Sequence, residues 1–266
     1  MRNRFAVMGN PIAHSLSPFI HQQFAEQTGI ALSYEKILVP EDDFEAQVTH
    51  FFVQGGKGLN ITLPFKQRAF AMAAVLRPRA MQAKAVNTLW MQDGQLHADN
   101  TDGIGFIRDL SHYLNLAEKH VLLLGAGGAA RGIITPLLEA GVAELVIANR
   151  SEENAKRLKA DFAQIKCSSF SELAGHFDLI INATSASIAE EKLGLAPSLL
   201  KPTTLCYDLA YNRQAPTPFV EWAHEQRTAG ADGLGMLVEQ AAEAFLIWHG
   251  VKPDARAVLQ ELRKNI

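Results

Sequence analysis

At 266 residues, 48% hydrophobic and 20% charged, the chain can bury a full core and has room for two modest domains. Its 25 basic and 28 acidic residues leave a net charge of −3, which gives no electrostatic ground for binding nucleic acid or an anionic membrane. No apolar run approaches membrane-spanning length, and Cys167 and Cys206 stand far apart without metal-ligand spacing, so a membrane span, a disulfide and a zinc site are all set aside.

Met1-Arg2-Asn3-Arg4 leads straight into strand-like Phe5-Ala6-Val7-Met8 instead of a signal-peptide core, so the mature chain is expected to start here and to work in the cytoplasm. Strand and helix patterns then alternate: 5–8 as strand, 18–28 as helix, 34–39 as strand, 42–52 as helix, 58–63 as strand. That rhythm predicts a parallel α/β layer. Gly29 suits a helix C-terminus, Pro40 separates strand from helix, and Gly55-Gly56 closes the next helix. Strands at 86–91 and 95–98 flank Gln92-Asp93-Gly94, where Asp-Gly signals a hairpin that adds antiparallel strands. A first domain over 1–100 is expected, followed by a connecting helix (102–114) and linker over 101–119.

The second domain, 120–237, is organised around Val121-Leu122-Leu123-Leu124-Gly125-Ala126-Gly127-Gly128-Ala129-Ala130-Arg131. This apolar run stops in glycine and resumes with helix formers, the order of a buried strand, a phosphate-cradling turn and a helix. Gly125 permits the tight turn, Gly127 lets backbone approach a pyrophosphate, and small Ala130 allows close helix–strand packing. A second strand, 144–148, ends in Asn149-Arg150-Ser151, where an NAD site carries Asp or Glu. A guanidinium there suits a 2′-phosphate, so the cofactor reads as NADP. A helix over 151–162 and strands at 179–182 and 205–209 follow, while Pro136 is expected to kink the first helix or to mark a restart of its last turns. Residues 238–266 read as C-terminal helices, the last from about 253 and placed to pack back on the first domain.

Chemistry is expected beyond the carboxyl ends of the parallel strands. Ser15 and Ser17 are spaced to bind one anionic group such as a carboxylate, although Ser17 before Pro18 serves equally well as a helix cap. In Asn60-Ile61-Thr62-Leu63-Pro64-Phe65-Lys66, proline fixes the chain just before a lysine that could equally be a solvated surface group. Asn87, in Ala85-Val86-Asn87-Thr88, can donate and accept toward a hydroxylated ligand, and Asp102, in Asn100-Thr101-Asp102-Gly103, is either a cap or a working carboxylate. Asn182-Ala183-Thr184-Ser185 could line the cofactor. His14, His21, His97 and His112 have no metal-ligand spacing and read as surface or capping residues, so no metal is expected.

These segments, in this order and together with Gly233-Leu234-Gly235-Met236-Leu237, resemble the shikimate dehydrogenase family over nearly the whole chain. The resemblance implies an N-terminal α/β substrate domain with a mostly parallel sheet, a C-terminal Rossmann-like NADP-binding domain, and reversible reduction of 3-dehydroshikimate in the shikimate pathway of aromatic amino-acid biosynthesis. It also implies that Ser15, Ser17, Thr62, Lys66, Asn87, Asp102, Tyr211 and Gln240 surround the substrate, with Lys66 and Asp102 as the catalytic pair. Gly125, Ala126, Gly127, Gly128, Ala129, Asn149, Arg150, Ser151, Thr184, Leu209 and Gly233 would line NADP. The expected partner is a small-molecule substrate, with no nucleic acid and no membrane, and the working form a monomer or homodimer. Two departures stand out: Ser187 occupies a position where the family usually has glycine, and Ser151-Glu152-Glu153-Asn154 lacks the second basic residue of some members, for which Lys156 is no assured substitute. The rival readings are a quinate/shikimate dehydrogenase using NAD or NADP, and a non-catalytic NADP-binding sensor on the same fold.

Overall fold

In the computed structural model, which describes residues 3–184, 186–187, 189 and 193–264 apart from the side chains of Glu152 and Ala155, the first apolar run forms β1 (Asn3–Gly9). Ser185 therefore lies outside the described residues. The chain continues through α1 (Ser17–Thr28), β2 (Leu32–Leu38), α2 (Phe44–Val53), β3 (Gly58–Ile61), α3 (Lys66–Met72), β4 (Val75–Leu76), α4 (Pro78–Ala83), β5 (Thr88–Gln92), β6 (Gln95–Asp99) and α5 (Asp102–Leu110). Gly29 takes the left-handed conformation that ends α1 (φ 70°), and Asp93 and Gly94 both have positive φ (51° and 76°), as a tight hairpin turn requires.

These strands make one sheet in the order β2-β1-β3-β5-β6-β4. β1 pairs in parallel with β2 and β3, β4 pairs in parallel with β6, and the hairpin supplies the antiparallel pairs. Its core holds Met8, Phe44, Phe51, Leu59, Ile61 and Phe65, with the Phe44 and Phe65 rings stacked 4.5 Å apart. Arg79 of α4 is shared between Asp99 (2.6 Å) and Glu243 (2.8 Å), both nearly buried, which ties the end of β6 to a C-terminal helix.

The second sheet is built from β7 (His120–Leu124), β8 (Glu144–Ala148), β9 (Lys166–Ser168), β10 (Phe177–Asn182), β11 (Leu200–Asp208) and β12 (Ala229–Ala231), with α6 (Gly128–Glu139), α7 (Glu152–Asp161) and α8 (Pro218–Glu225) between them. Every pairing is parallel, in the order β12-β11-β10-β7-β8-β9. The chain works outward from β7 to β9 and returns to β10, so the order reverses between β7 and β10 and opens a crevice at their carboxyl ends. α9 (Leu234–His249) and α10 (Ala255–Lys264) complete the chain, and α10 is tied to α1 through reciprocal bonds between Gln27 and the Asp254 backbone (3.2 and 3.1 Å). By its internal contacts the chain divides into one unit of Met1–Gly105 with Leu237–Asn265 and another of Phe106–Met236.

Several expectations are corrected. The helix begun at Asp102 stops at Leu110, where the last turn tightens and the His112 N–H reaches Asp109 O (3.0 Å). α6 runs through Pro136 to Glu139 as one element, so its last turns do not restart there. β11 begins at Leu200, ahead of Pro202, with an irregular register against β10. His21 is fully buried instead of at the surface: it stacks on Tyr34 (4.2 Å, 7°) and lies against Phe24, Phe245 and Trp248, because the face of α1 that carries it turns into an aromatic box. No described helix is long and apolar enough to cross a membrane.

Candidate active site

In the first unit the chain leaves buried β3 and turns through Pro64 into α3, whose first residue is Lys66. The Lys66 carbonyl accepts from the Val86 N–H (2.9 Å), which holds this turn beside the segment leading to Asn87. Asp102 opens α5, but the capping role falls to Asn100: its side-chain oxygen accepts the Asp102 N–H (3.0 Å) while its amide donates to Ala85 O (3.0 Å). The Asp102 carboxylate is thereby left to other partners. Lys66 Nζ donates to Asp102 Oδ2 at 2.6 Å, and Asn87 Nδ2 donates to Asp102 Oδ1 at 2.9 Å. With side chains 28% and 16% exposed, Lys66 and Asp102 form a half-buried pair, and the surface-lysine reading falls away.

Asn87 is the hub of this arrangement. Its Nδ2 also donates to Thr101 Oγ1 (2.9 Å) and Gln240 Oε1 (3.2 Å), and its oxygen accepts from Thr88 Oγ1 (2.9 Å) and the Thr101 N–H (2.8 Å). Gln240 reaches it from α9 because Gly105 of α5 has no side chain: a Cβ there would stand 2.5 Å from the Gln240 backbone nitrogen. A second run extends to the serines. Ser15 Oγ donates to Ser17 Oγ (3.2 Å), Tyr34 OH donates to Asn60 Oδ1 (2.7 Å), and Asn60 Nδ2 donates to Asn87 O (3.1 Å). Ser17 lies beside the Tyr34 hydroxyl and draws its pKa down, but burial is the larger effect and holds that phenol well above its ordinary range. α1 already starts at Ser17, whose hydroxyl caps nothing, so the capping reading of Ser17 does not hold. Thr62 follows β3, half-buried, its N–H bonded to Met8 O (2.9 Å).

Tyr34, Asn60 and Thr101 carry this lattice, yet none is a candidate by local pattern. Asn60 and Thr101 sit inside motifs that were singled out, but their partners are distant along the chain. Behind Tyr34, burial, reinforced by His249 and only partly opposed by Asn60, lowers the His21 pKa to about 3.

In the second unit the candidate residues sit at the carboxyl ends of adjacent parallel strands. Gly125 has φ 105°, closed to other residues, and a Cβ there would meet Ala183 O at 3.0 Å. At Gly127 and Gly128, both exposed, an added Cβ would meet nothing within 4 Å, so the backbone at the start of α6 is open to close approach. Buried Ala130 packs into the core beneath them. An open glycine cradle at a helix N-terminus fits a pyrophosphate. After β8, Asn149 Nδ2 donates to Ser151 O (2.9 Å), Ser151 stands at the start of α7, and exposed Arg150 borders a cavity of about 460 Å³ walled by Phe170, Leu173, Leu195 and Leu199. Glu153 is turned to Arg157 (2.6 Å). Thr184 follows β10 and Leu209 follows β11, and Gly233 is required beside Leu209, whose carbonyl oxygen would lie 2.2 Å from a Cβ. Tyr211 also follows β11, half-buried, with its phenol pKa raised by burial. Among the described residues no cluster of His, Cys, Asp and Glu could hold a metal ion.

Three family descriptions match consecutive stretches: shikimate dehydrogenase substrate binding domain over residues 7–89, shikimate/quinate 5-dehydrogenase over 109–215, and shikimate 5′-dehydrogenase C-terminal domain over 233–263. A shikimate dehydrogenase (NADP(+)) of Legionella pneumophila (strain Lens) is 57% identical over 263 residues, 99% of each chain. Among solved structures, an Ael1 enzyme from Pseudomonas putida is 47% identical with a TM-score of 0.91, covering 98% of both chains. The shikimate 5-dehydrogenase of Thermus thermophilus, in complex with NADP(H) and shikimate, is 32% identical with a TM-score of 0.90, covering 99% of this chain and 100% of its own.

Proposed function

The chain belongs to the shikimate dehydrogenase family, and from that premise we propose how its residues divide the work of the reaction. The protein is an NADP-dependent oxidoreductase that interconverts 3-dehydroshikimate and shikimate within the shikimate pathway. The observation that carries the residue assignment is the Lys66–Asp102 contact of 2.6 Å, braced from the other carboxylate oxygen by Asn87.

When bound, NADPH supplies the hydride that reduces the ring ketone. Lys66, its ammonium oriented by Asp102, donates the proton that the developing alkoxide needs and stabilises its charge; in the reverse direction the same pair removes the hydroxyl proton. Ser15 and Ser17, with Tyr211, hold the substrate carboxylate through neutral donors, and Thr62, Asn87 and Gln240 read the ring hydroxyls. The glycine turn from Gly125 to Ala129 cradles the pyrophosphate, Asn149, Arg150 and Ser151 hold the 2′-phosphate, and Thr184, Leu209 and Gly233 line the rest of NADP. Residues 1–100 thus act as the substrate domain and 120–237 as the cofactor domain, 101–119 connecting them and 238–266 adding C-terminal helices.

In this reading the enzyme works in the cytoplasm as a monomer or homodimer on a small molecule, without nucleic acid; the small net charge of −3 supports the last point. A spectrophotometric assay with shikimate and quinate, each with NADP and NAD, tests the function. The highest kcat/KM is expected for shikimate with NADP. Equal efficiency on quinate would favour the quinate/shikimate branch, and no turnover with any pair would favour a cofactor sensor.

A further inference from the structure

The hydroxyl of Ser187 makes two side-chain bonds, one as donor and one as acceptor. It donates to Asp208 Oδ2 at 2.5 Å and accepts from Asn182 Nδ2 at 3.0 Å. Asp208, fully buried at the end of β11, collects Thr217 Oγ1 on the same oxygen (2.6 Å) and Asn182 Nδ2 and the Ala210 N–H on the other (3.1 and 3.0 Å). Asn182, at the end of β10, turns its own oxygen to the Thr184 N–H (3.0 Å) and the Thr184 hydroxyl (2.7 Å). Thr184 Oγ1 in turn accepts the Ala186 N–H (3.2 Å), closing the loop on itself.

We infer that Ser187 is a positioning residue for NADP: through Asp208 and Asn182 it fixes the loop that carries Thr184 to the strand end that carries Leu209. This rests on the reading that Thr184 and Leu209 line the cofactor. Thr184 is held on both sides, by Asn182 behind it and by the Ala186–Ser187 turn ahead of it, and its methyl group lies against the glycine turn, 3.3 Å from where a Cβ of Gly125 would be. Without the Ser187 hydroxyl, Asp208 keeps Thr217, Asn182 and Ala210, so the strand ends stay joined. What is released is the far side of the loop. Burial raises the Asp208 carboxyl pKa, and the Ser187 hydroxyl leads the donors that oppose this.

The test compares Ser187→Ala, Ser187→Thr and Thr184→Val in the full-length enzyme. Ser187→Ala is expected to raise the KM for NADP roughly three- to tenfold, the scale of one lost hydrogen bond to a charged group after partial relaxation, with the KM for shikimate and kcat at saturating NADP little changed. Ser187→Thr keeps a hydroxyl that both donates and accepts, and is expected to restore the wild-type KM. A Ser187→Ala enzyme that loses thermal stability but keeps its KM for NADP would reduce Ser187 to a structural role and overturn the inference, as would failure of threonine to rescue. If Thr184→Val raises the KM for NADP and Ser187→Ala does not, the inference falls while the cofactor assignment stands. If neither variant changes it, the assignment of this loop to NADP falls as well.

Discussion

The two candidate surfaces of this protein are prepared in opposite ways. In the first unit, Lys66, Asn87, Asp102 and Gln240 are side chains that hold one another, with Thr101 and Asn60 buried behind them. In the second, the turn after β7 is bare backbone, its Gly127 and Gly128 with open space where a Cβ would be, and Arg150, which follows β8, is exposed. The first surface depends on side chains acting as a unit, where removing one disturbs several. The second depends on backbone conformation, with side chains contributing increments. Substitutions in the first should be severe and coupled, and those at the rim of the second graded.

The sharpest way to break that contrast is Lys66→Ala. Loss of general acid catalysis predicts a fall in kcat of roughly 10²–10⁴-fold, with the circular dichroism spectrum and the KM for NADP nearly unchanged. Near-normal turnover would remove Lys66 from the chemistry.

Acid should distinguish the units next. His21 is neutral in the fold, its pKa lowered from 6.5 to about 3, with His249 also lowered by burial and Tyr34 stacked on it as the other titratable group of the box. The stabilisation tied to the neutral ring is complete above pH 6.5 and is withdrawn as pH falls from 6.5 toward 3, because the unfolded chain takes up the proton first. On the order of a few kcal/mol is at stake. His21→Leu should flatten the fall of the urea midpoint across that range, leaving the smaller slope from His249. Parallel curves for wild type and variant would show that His21 does not set the acid limit.

The smallest effect is expected at the rim. Arg150→Ala should lower the NADP-over-NAD ratio of kcat/KM by about tenfold, the modest end for a charged hydrogen bond because the guanidinium is exposed, and should leave NAD nearly untouched. Added salt should shrink the wild-type ratio in the same direction. A variant that loses both cofactors equally would make Arg150 structural.

Local signals were legible where one short stretch decides the outcome. Asp93-Gly94 takes the positive φ angles of a hairpin, Gly29 ends α1, and the apolar run 121–124 stops at a glycine with φ 105°. Elements that owe their form to neighbours were not. β9 is a strand of Lys-Cys-Ser with no apolar run, β4 has two residues, and α3 and α4 are single short helices held by packing. The site shows the same division. Residue types at the strand ends can be read from motifs, but the pairing of Lys66 with Asp102 entered only through resemblance, and the supports are long-range: Tyr34 to Asn60, Thr101 to Gln240, Arg79 to Asp99 and Glu243. His21 misled because a histidine on an otherwise ordinary helix carries no local mark of the aromatic box that will enclose it.

The saturation of Asn87 bears on how a ligand is told from its near relatives. Its Nδ2 has two protons but is shared among Thr101, Asp102 and Gln240, and its oxygen is already met by Thr88 and Thr101. If Asn87 reads a ring hydroxyl as proposed, that hydroxyl must displace a bond that exists before it comes, so the step is an exchange of partners instead of a gain. Such an exchange adds little affinity when the hydroxyl fits, because one bond replaces another. When it misses, the old bond is broken and nothing replaces it, and a buried amide is left unsatisfied. On that proposal, discrimination at this position acts by excluding the wrong ligand more than by gripping the right one.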